Sequence, residues 1–479
     1  MSRYSSIIST CLVFFVFMVA GADCETGMND PAMMPVPGSP SFDNTGGDNP
    51  VTPANPPAAV DAIVKTNIQL DYRSRLQLGD DLVVYSYHFN DPAIYYFSPS
   101  EAISDPANPP EFFVPGSDRL FNTFTFAVAE KKIVMERSTG AVTVFDTVTG
   151  SMSDIPAAEV VIVNRPDRDS ALDSQPMVAD GPYVATINET TETHVRVIDT
   201  TGAVPTVINL KDPESVFSPS QVAIDAESRW VVAADSIKGL VFWSLDNPES
   251  PQVLEDVAAN ARPPMQIDGD TVVCHIDSDF ERATAARINL STLTVDAFPD
   301  NQCAKESTVA ADANRFVYFL LREDADAQSS NVEHFRSVIG NINDPVSPVL
   351  ASQLDRYPRR PSLVDTSDVA GPCFNEDKLI GYGVTSCITP DGRYTFIGGL
   401  GLIDGAWDYI QMSTGGEFTD FPDPEGNTLS GALMGSDLVC NDEVVAFKAL
   451  REFADGNDCA PNAPDQFYVL GLIFPDRLD

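Results

Sequence analysis

Thr385-Ser386-Cys387-Ile388-Thr389-Pro390-Asp391-Gly392-Arg393-Tyr394-Thr395-Phe396-Ile397-Gly398-Gly399 sets a Pro-Asp-Gly turn between two apolar segments. Proline presets φ at the first turn position, aspartate hydrogen-bonds its own backbone two residues on, and glycine takes the positive φ that closes a hairpin. The stretch therefore reads as two antiparallel strands. Related pairs of apolar segments around a short polar turn recur at 78–85, 128–135, 178–185, 224–232, 267–273, 311–318 and 434–447.

A second kind of strand, ending in a polar turn, lies between these copies at 142–150, 195–202 and 240–246. Tyr95-Tyr96-Phe97 and Phe467-Tyr468-Val469-Leu470 fill the same slot in the first and last copies. Each unit holds roughly four short strands and no 3.6-residue helical pattern. Taking Val84, Ile133, Val184, Val231, Val272, Val317, Phe396 and Val445 as equivalent, the steps run from 41 to 51 residues except that from Val317 to Phe396, which is 79. Four strands in about 40 to 50 residues is the period of a propeller blade. The expectation is an all-β, eight-bladed β-propeller, with seven blades as the alternative and the long step read as an insertion at about 342–380.

A ring of blades has to close. The last unit runs out of chain after Leu470-Gly471-Leu472-Ile473, one strand short, and an unassigned alternating segment at 66–72 precedes the first unit. Donating that segment to the last blade pairs the two chain ends and removes exposed edges.

The Thr389-Pro390-Asp391-Gly392-Arg393-Tyr394 turn with its following strand, together with Val197-Ile198-Asp199-Thr200-Thr201-Gly202, resembles the β-propeller repeats of the TolB and YVTN type. The likeness covers most of the folded body at the level of repeat pattern. It implies a fold common among secreted bacterial proteins and carries over no active-site motif.

Ahead of the repeats, Arg3 and an apolar run from Cys11 to Ala20 lead to Ala20-Gly21-Ala22, which reads as a secretory signal peptide over 1–22, too short to span a bilayer. Residues 23–61 form a tether. From Glu25 to Ala59 there is no Lys or Arg, and Pro31, Pro35, Pro37, Pro40, Pro50, Pro53, Pro56 and Pro57 alternate with small and polar residues. Such a segment cannot bury enough apolar area to offset its ordering entropy, and its prolines keep it semi-extended. Residues 62–479 are the propeller body. Gly21-Ala22-Asp23-Cys24 resembles a lipobox with Asp23 in place of a small neutral residue, so two forms stay open, a lipidated Cys24 and a freely secreted chain.

With 70 acidic against 29 basic residues the net charge is -41, which favours solubility and repels polyanions, so nucleic acid is an unfavourable partner. Cys274, Cys303, Cys373, Cys387, Cys440 and Cys459 make an even set within the body. In a secreted chain their order suggests three local disulfides, 274 with 303, 373 with 387 and 440 with 459, rather than zinc, for which the close Cys-x-x-Cys or His spacing is absent. His88, His194, His275 and His334 fall on different repeats, and there is no His-Glu-x-x-His, no Gly-x-Ser-x-Gly and no phosphate loop.

The cofactor stays open: Asp324-Ala325-Asp326, Asp277-Ser278-Asp279 and Asp455-Gly456-Asn457-Asp458 could supply oxygen ligands to Ca²⁺, though none has EF-hand spacing and as solvated turns they need no metal. The densest positive spot, Arg356-Tyr357-Pro358-Arg359-Arg360, lies in the expected insertion. Guanidinium groups beside an aromatic ring suit carboxylates and sugars, so Arg356, Tyr357, Arg359 and Arg360 are the candidate ligand or partner site, against a set of surface ion pairs. The functional expectation is a secreted or envelope-tethered binding module for protein or glycan, meeting membrane only through a lipid on Cys24. The alternative is a propeller-type enzyme, such as a lyase, lactonase or glycan hydrolase, with carboxylates on the ring axis. A structural role in the envelope is the third reading.

Overall fold

The structure is a computed structural model. It describes residues 62–70, 74–87, 93–102, 105, 107–117, 126–136, 142–156, 177–188, 193–213, 217–235, 238–254, 262–276, 282–297, 303–304, 310–312, 315–321, 333–341, 344–356, 385–403, 406–414, 419–421, 435–450 and 468–478. The signal peptide, the whole tether and Cys24 lie outside the described residues.

The described strands form seven antiparallel sheets, six of four strands and one of nine. The sheet count is thus the lower of the two that the repeat spacing allows, and the expected eight is corrected at this level. The reason is local. Cys303–Ala304 pairs with Arg282–Asn289 on one side and with Arg315–Leu321 on the other, which joins two meanders into a single hydrogen-bonded sheet. Asp344–Arg356, at the start of the expected insertion, is a strand paired with Glu333–Asn341 with two shifts of register, and 357–380 lie outside the described residues.

The first strands, Leu76–Gly79, Phe126–Ala129, Met177–Asp180, Pro219–Asp225, Arg262–Asp268, Ala310–Asp312, Thr385–Ile388 and Gly435–Cys440, lie side by side in that order. The last lies against the first, so the described body is a closed ring. Ile63–Leu70 completes the final sheet, pairing with Tyr468–Ile473 from Ile63 opposite Ile473 to Leu70 opposite Tyr468. The closing strand expected at 66–72 is therefore present and begins three residues earlier.

Neighbouring sheets pack face to face, and this decides which strands read as continuous apolar runs. Phe126–Ala129 and Tyr468–Ile473 are buried at every position, because both of their faces meet protein. The outermost Asn247–Leu254 is largely solvated and carries the polar residues. Leu82, Val84 and Ile94 of one sheet meet Val128, Ile133 and Met135 of the next, and the same layering recurs where Val197 and Leu210 meet Val222, Val231 and Trp243. The Trp243 ring is fully buried and its Nε1–H donates to the Lys211 carbonyl at 2.8 Å.

Near the axis, side chains substitute for strand pairing. The Gln77 amide donates to the Phe126 carbonyl at 2.9 Å, and its oxygen accepts the Val128 N–H at 3.0 Å. This amide bridges two first strands that share no ladder. Replacing it leaves two main-chain groups of buried residues unpaired, so Gln77→Ala is expected to cost about 2 kcal/mol, measured as a lower denaturation midpoint at unchanged slope.

Candidate functional site

The 1–2 turn of each meander sits at one end of the ring, and these turns are bonded to one another. At the repeat that defined the fold, Gly392 has φ 67° and its N–H donates to the Thr389 carbonyl at 2.7 Å, while the Asp391 carboxylate accepts the Arg393 N–H at 2.9 Å. The expected turn chemistry is present. Glu130 adopts φ 53° and Asp81 φ 49° at related turns, a region that side chains other than glycine enter at some cost.

The bonds run from turn to turn around much of the rim. Asp391 N–H donates to the Asp442 carboxylate at 2.9 Å, Asp81 N–H to Glu443 at 3.0 Å, and the Asn441 side-chain amide to the Gly79 carbonyl at 3.0 Å. Asp80 N–H reaches the Glu130 carbonyl at 3.2 Å, Ala226 N–H reaches the Asp180 carboxylate, and Gly269 N–H reaches Asp225 at 2.6 Å. Acidic side chains thus act as the connectors between units. Asp80, Glu227 and Asp270 add further carboxylates to the same turns.

Environment separates these acids. Burial works against the charge of Asp81, but the Ser98 and Ser100 hydroxyls and the Ser100 N–H outweigh it and hold its carboxyl below the usual aspartate value. Part of Asp180 reaches solvent, yet protein crowds its carboxylate. That desolvation, together with the negative charge of Asp225 and Glu227, pushes it upward against the N–H groups of Ala226 and Gly181. Of the cations at these turns, Arg393 is held by Asp476 and Asp391, Arg229 by Asp246 and the Tyr183 hydroxyl, and the Lys131 charge helps hold Asp81 low. The rim is a pre-arranged, strongly anionic surface.

Other polar features have local roles. His194 Nδ1 lies 2.6 Å from Asp212 Oδ2, its own N–H donates to the other carboxylate oxygen at 2.9 Å, and Phe217 meets its ring edge-on. This pair pins the connector that leads from one sheet to the next, at the end of the ring away from the rim. A cleft of about 20 Å³, the size of one water, lies beside Lys132, Asp146, Ser151 and Thr200; the Lys132 ammonium donates to the Thr200 and Gly202 carbonyls.

The residues singled out in the sequence fare differently. Arg356 ends its strand opposite Glu333, at the end of the ring away from the acidic rim, while Tyr357, Arg359 and Arg360 lie outside the described residues. His275 and His334 fall on separate strands, and His88 is outside the description. The three candidate Ca²⁺ clusters also fall outside it, and among the described residues no group of three or more His, Cys, Asp or Glu is placed to hold a metal.

The local disulfide pattern is corrected. Cys387 is bonded to Cys440, 53 residues away, and Cys274 is a free thiol buried in an apolar core, which pushes its pKa up to about 12. Nearness in sequence misled here because first strands of successive meanders lie side by side while being separated by three strands of chain. Cys303 lies on a described strand, and Cys373 and Cys459 lie outside the description. Sequence reasoning missed Gln77 and the acidic rim; its one available signal was an acid recurring at the same turn of every repeat.

No family model matches the chain, and no curated protein matches it. Among solved structures it is similar to BamB from Moraxella catarrhalis at 11% identity, covering 86% of this chain and 98% of that one with a TM-score of 0.42. It is also similar to apo AztD from Citrobacter koseri at 10% identity, covering 58% and 85% with a TM-score of 0.36. A third likeness is to the GH74 xyloglucanase from Xanthomonas campestris at 11% identity, covering 81% and 59% with a TM-score of 0.43. The class follows from the chain's own topology. A closed ring of antiparallel meanders sealed by its N-terminal strand is a β-propeller. Among the described residues no helix is long and apolar enough to cross a membrane.

Proposed function

We propose that this β-propeller is an exported binding module, carried on the tether of residues 23–61, whose acidic rim receives a protein partner with a basic surface. The observation that carries the reading is the turn-to-turn bonding, which displays the carboxylates on a rigid frame and so spares a partner the entropy of ordering them. Charge complementarity of this kind sets association rate and partner choice more than raw affinity. In this reading the nine-stranded sheet acts as two blades tied by Cys303–Ala304, for eight in all. The ring of first strands supports that count.

The test uses a lysine 20-mer as a cationic probe, titrated at low and moderate salt. Asp80→Asn, Glu227→Gln and Asp270→Asn together remove rim charge without touching a turn-to-turn bond. They are expected to weaken binding about tenfold at low salt. Glu249→Gln, on an outer strand, serves as the control. Equal losses per charge removed in the two variants would show general attraction to an acidic protein and overturn the rim as the binding face. Mass measurement of the mature N-terminus distinguishes a lipidated Cys24 from a freely secreted chain.

A further inference from the structure

We infer that the Cys387–Cys440 bond is a redox latch on the seam between the last two sheets of the ring. Cys387 belongs to Thr385–Ile388 and Cys440 ends Gly435–Cys440, the first strands of the last two meanders, with Cα atoms 6.0 Å apart. Both residues are half-buried, so a small reductant has access from the surface. The bond ties a pair of neighbouring sheets that share no ladder, and one of that pair is the sheet sealed by Ile63–Leu70.

Two polar contacts at exposed turn groups also cross this seam, Asp391 N–H to Asp442 and Arg393 to Asp476. Beneath them an apolar cluster spans the boundary, with Tyr394, Phe396 and Ile410 on one side and Phe447, Val469 and Ile473 on the other. The bond adds a covalent tie to a seam that this packing and the turn contacts already hold, and what it changes is how often the seam opens. Since Ile63 and Ala62 belong to the same cluster, opening also loosens the closing strand where the tether joins the body.

The chemistry is thiol–disulfide exchange with a dithiol carrier. One carrier thiolate attacks a sulfur of the pair and forms a mixed disulfide, releasing one cysteine thiolate. The second carrier thiol displaces the other cysteine, so the carrier leaves as a disulfide and Cys387 and Cys440 gain two electrons and two protons between them. Re-closure runs the same steps backward with an oxidised carrier. For a 53-residue span the entropy of loop closure in the unfolded chain corresponds to roughly a thousandfold in the folding equilibrium, which is the upper bound for the change in seam opening.

The test is hydrogen exchange of the full chain, before and after treatment with a phosphine reductant under native conditions. Exchange over 385–388, 435–440 and 63–70 is expected to rise by roughly a hundredfold or more, while 230–235 and 239–244 stay as they were. Cys387→Ser with Cys440→Ser should reproduce that pattern and abolish the response to reductant. No rise at the seam, or an equal rise around the whole ring, would overturn the latch. A double variant that still answers the reductant would assign the effect to other cysteines and overturn it equally. If the double variant does not fold, reduction of the folded wild-type chain still decides between these outcomes.

Discussion

Removing residues 62–70 is expected to abolish the closed ring, leaving an expanded, aggregation-prone chain without a cooperative thermal transition. Within this strand Ile63, Ile68 and Leu70 are buried, with Leu70 at 0% exposure. Burial of three such side chains is worth about 6 kcal/mol before any hydrogen bond is considered. That sum is an upper figure, since a real unfolded chain buries part of its surface, yet it compares with the roughly 5 to 15 kcal/mol that holds a whole domain together. Deletion also bares the edge of Tyr468–Ile473, an apolar run buried at every position and a ready template for another chain. Calorimetry and light scattering of the truncated chain check the first part. Addition of a synthetic peptide of residues 62–70 should restore a transition, because the vacant edge is the one it normally fills. A truncated chain that melts cooperatively at the wild-type temperature would mean that the ring does not depend on its seal.

Gly471→Ala is expected to lower stability by about 3 kcal/mol, the upper end of the usual cost of overpacking a filled core. Gly471 lies in the middle strand of three, opposite Phe447 on one side and Lys65 on the other. A Cβ there would overlap the Phe447 ring, which lies over the glycine and is itself fully buried. The ring cannot swing aside without disturbing Phe396 and Ile473 in the same cluster. Denaturation with urea should show a lower midpoint. Gly471→Ala combined with Phe447→Leu should recover part of the loss, since the smaller side chain leaves room for the methyl group. A single variant as stable as wild type would place Phe447 elsewhere.

The two substitutions differ in how visible they were beforehand. The closing strand was readable because its alternation of apolar and polar residues stands alone ahead of the first repeat, and a ring needs one more strand than the last repeat supplies. The glycine was not. Nothing local distinguishes Gly471 from a glycine that merely weakens a strand, and only the position of an aromatic ring 24 residues earlier explains it. The acidic rim was half visible, since an acid recurs at turn after turn, but a solvated turn and a bonded connector look alike in sequence. Arg356 shows the converse. Its charge and its aromatic neighbour suggested a site, while topology sets it at the other end of the ring from the carboxylates.

What the amino-acid order determined by itself was local and periodic: strands from apolar alternation, turns from proline, aspartate and glycine, and a ring from their repetition at near-constant spacing. These features depend on interactions between residues close in the chain, so they survive in a one-dimensional reading. Tertiary structure alone decided the partner of Cys387, the fusion of two meanders through Cys303–Ala304, and the assembly of separate turns into one anionic rim. Each joins residues that tens of positions separate, and which of them meet is settled by how the sheets pack about the axis. Packing of that kind leaves no periodic mark in the sequence.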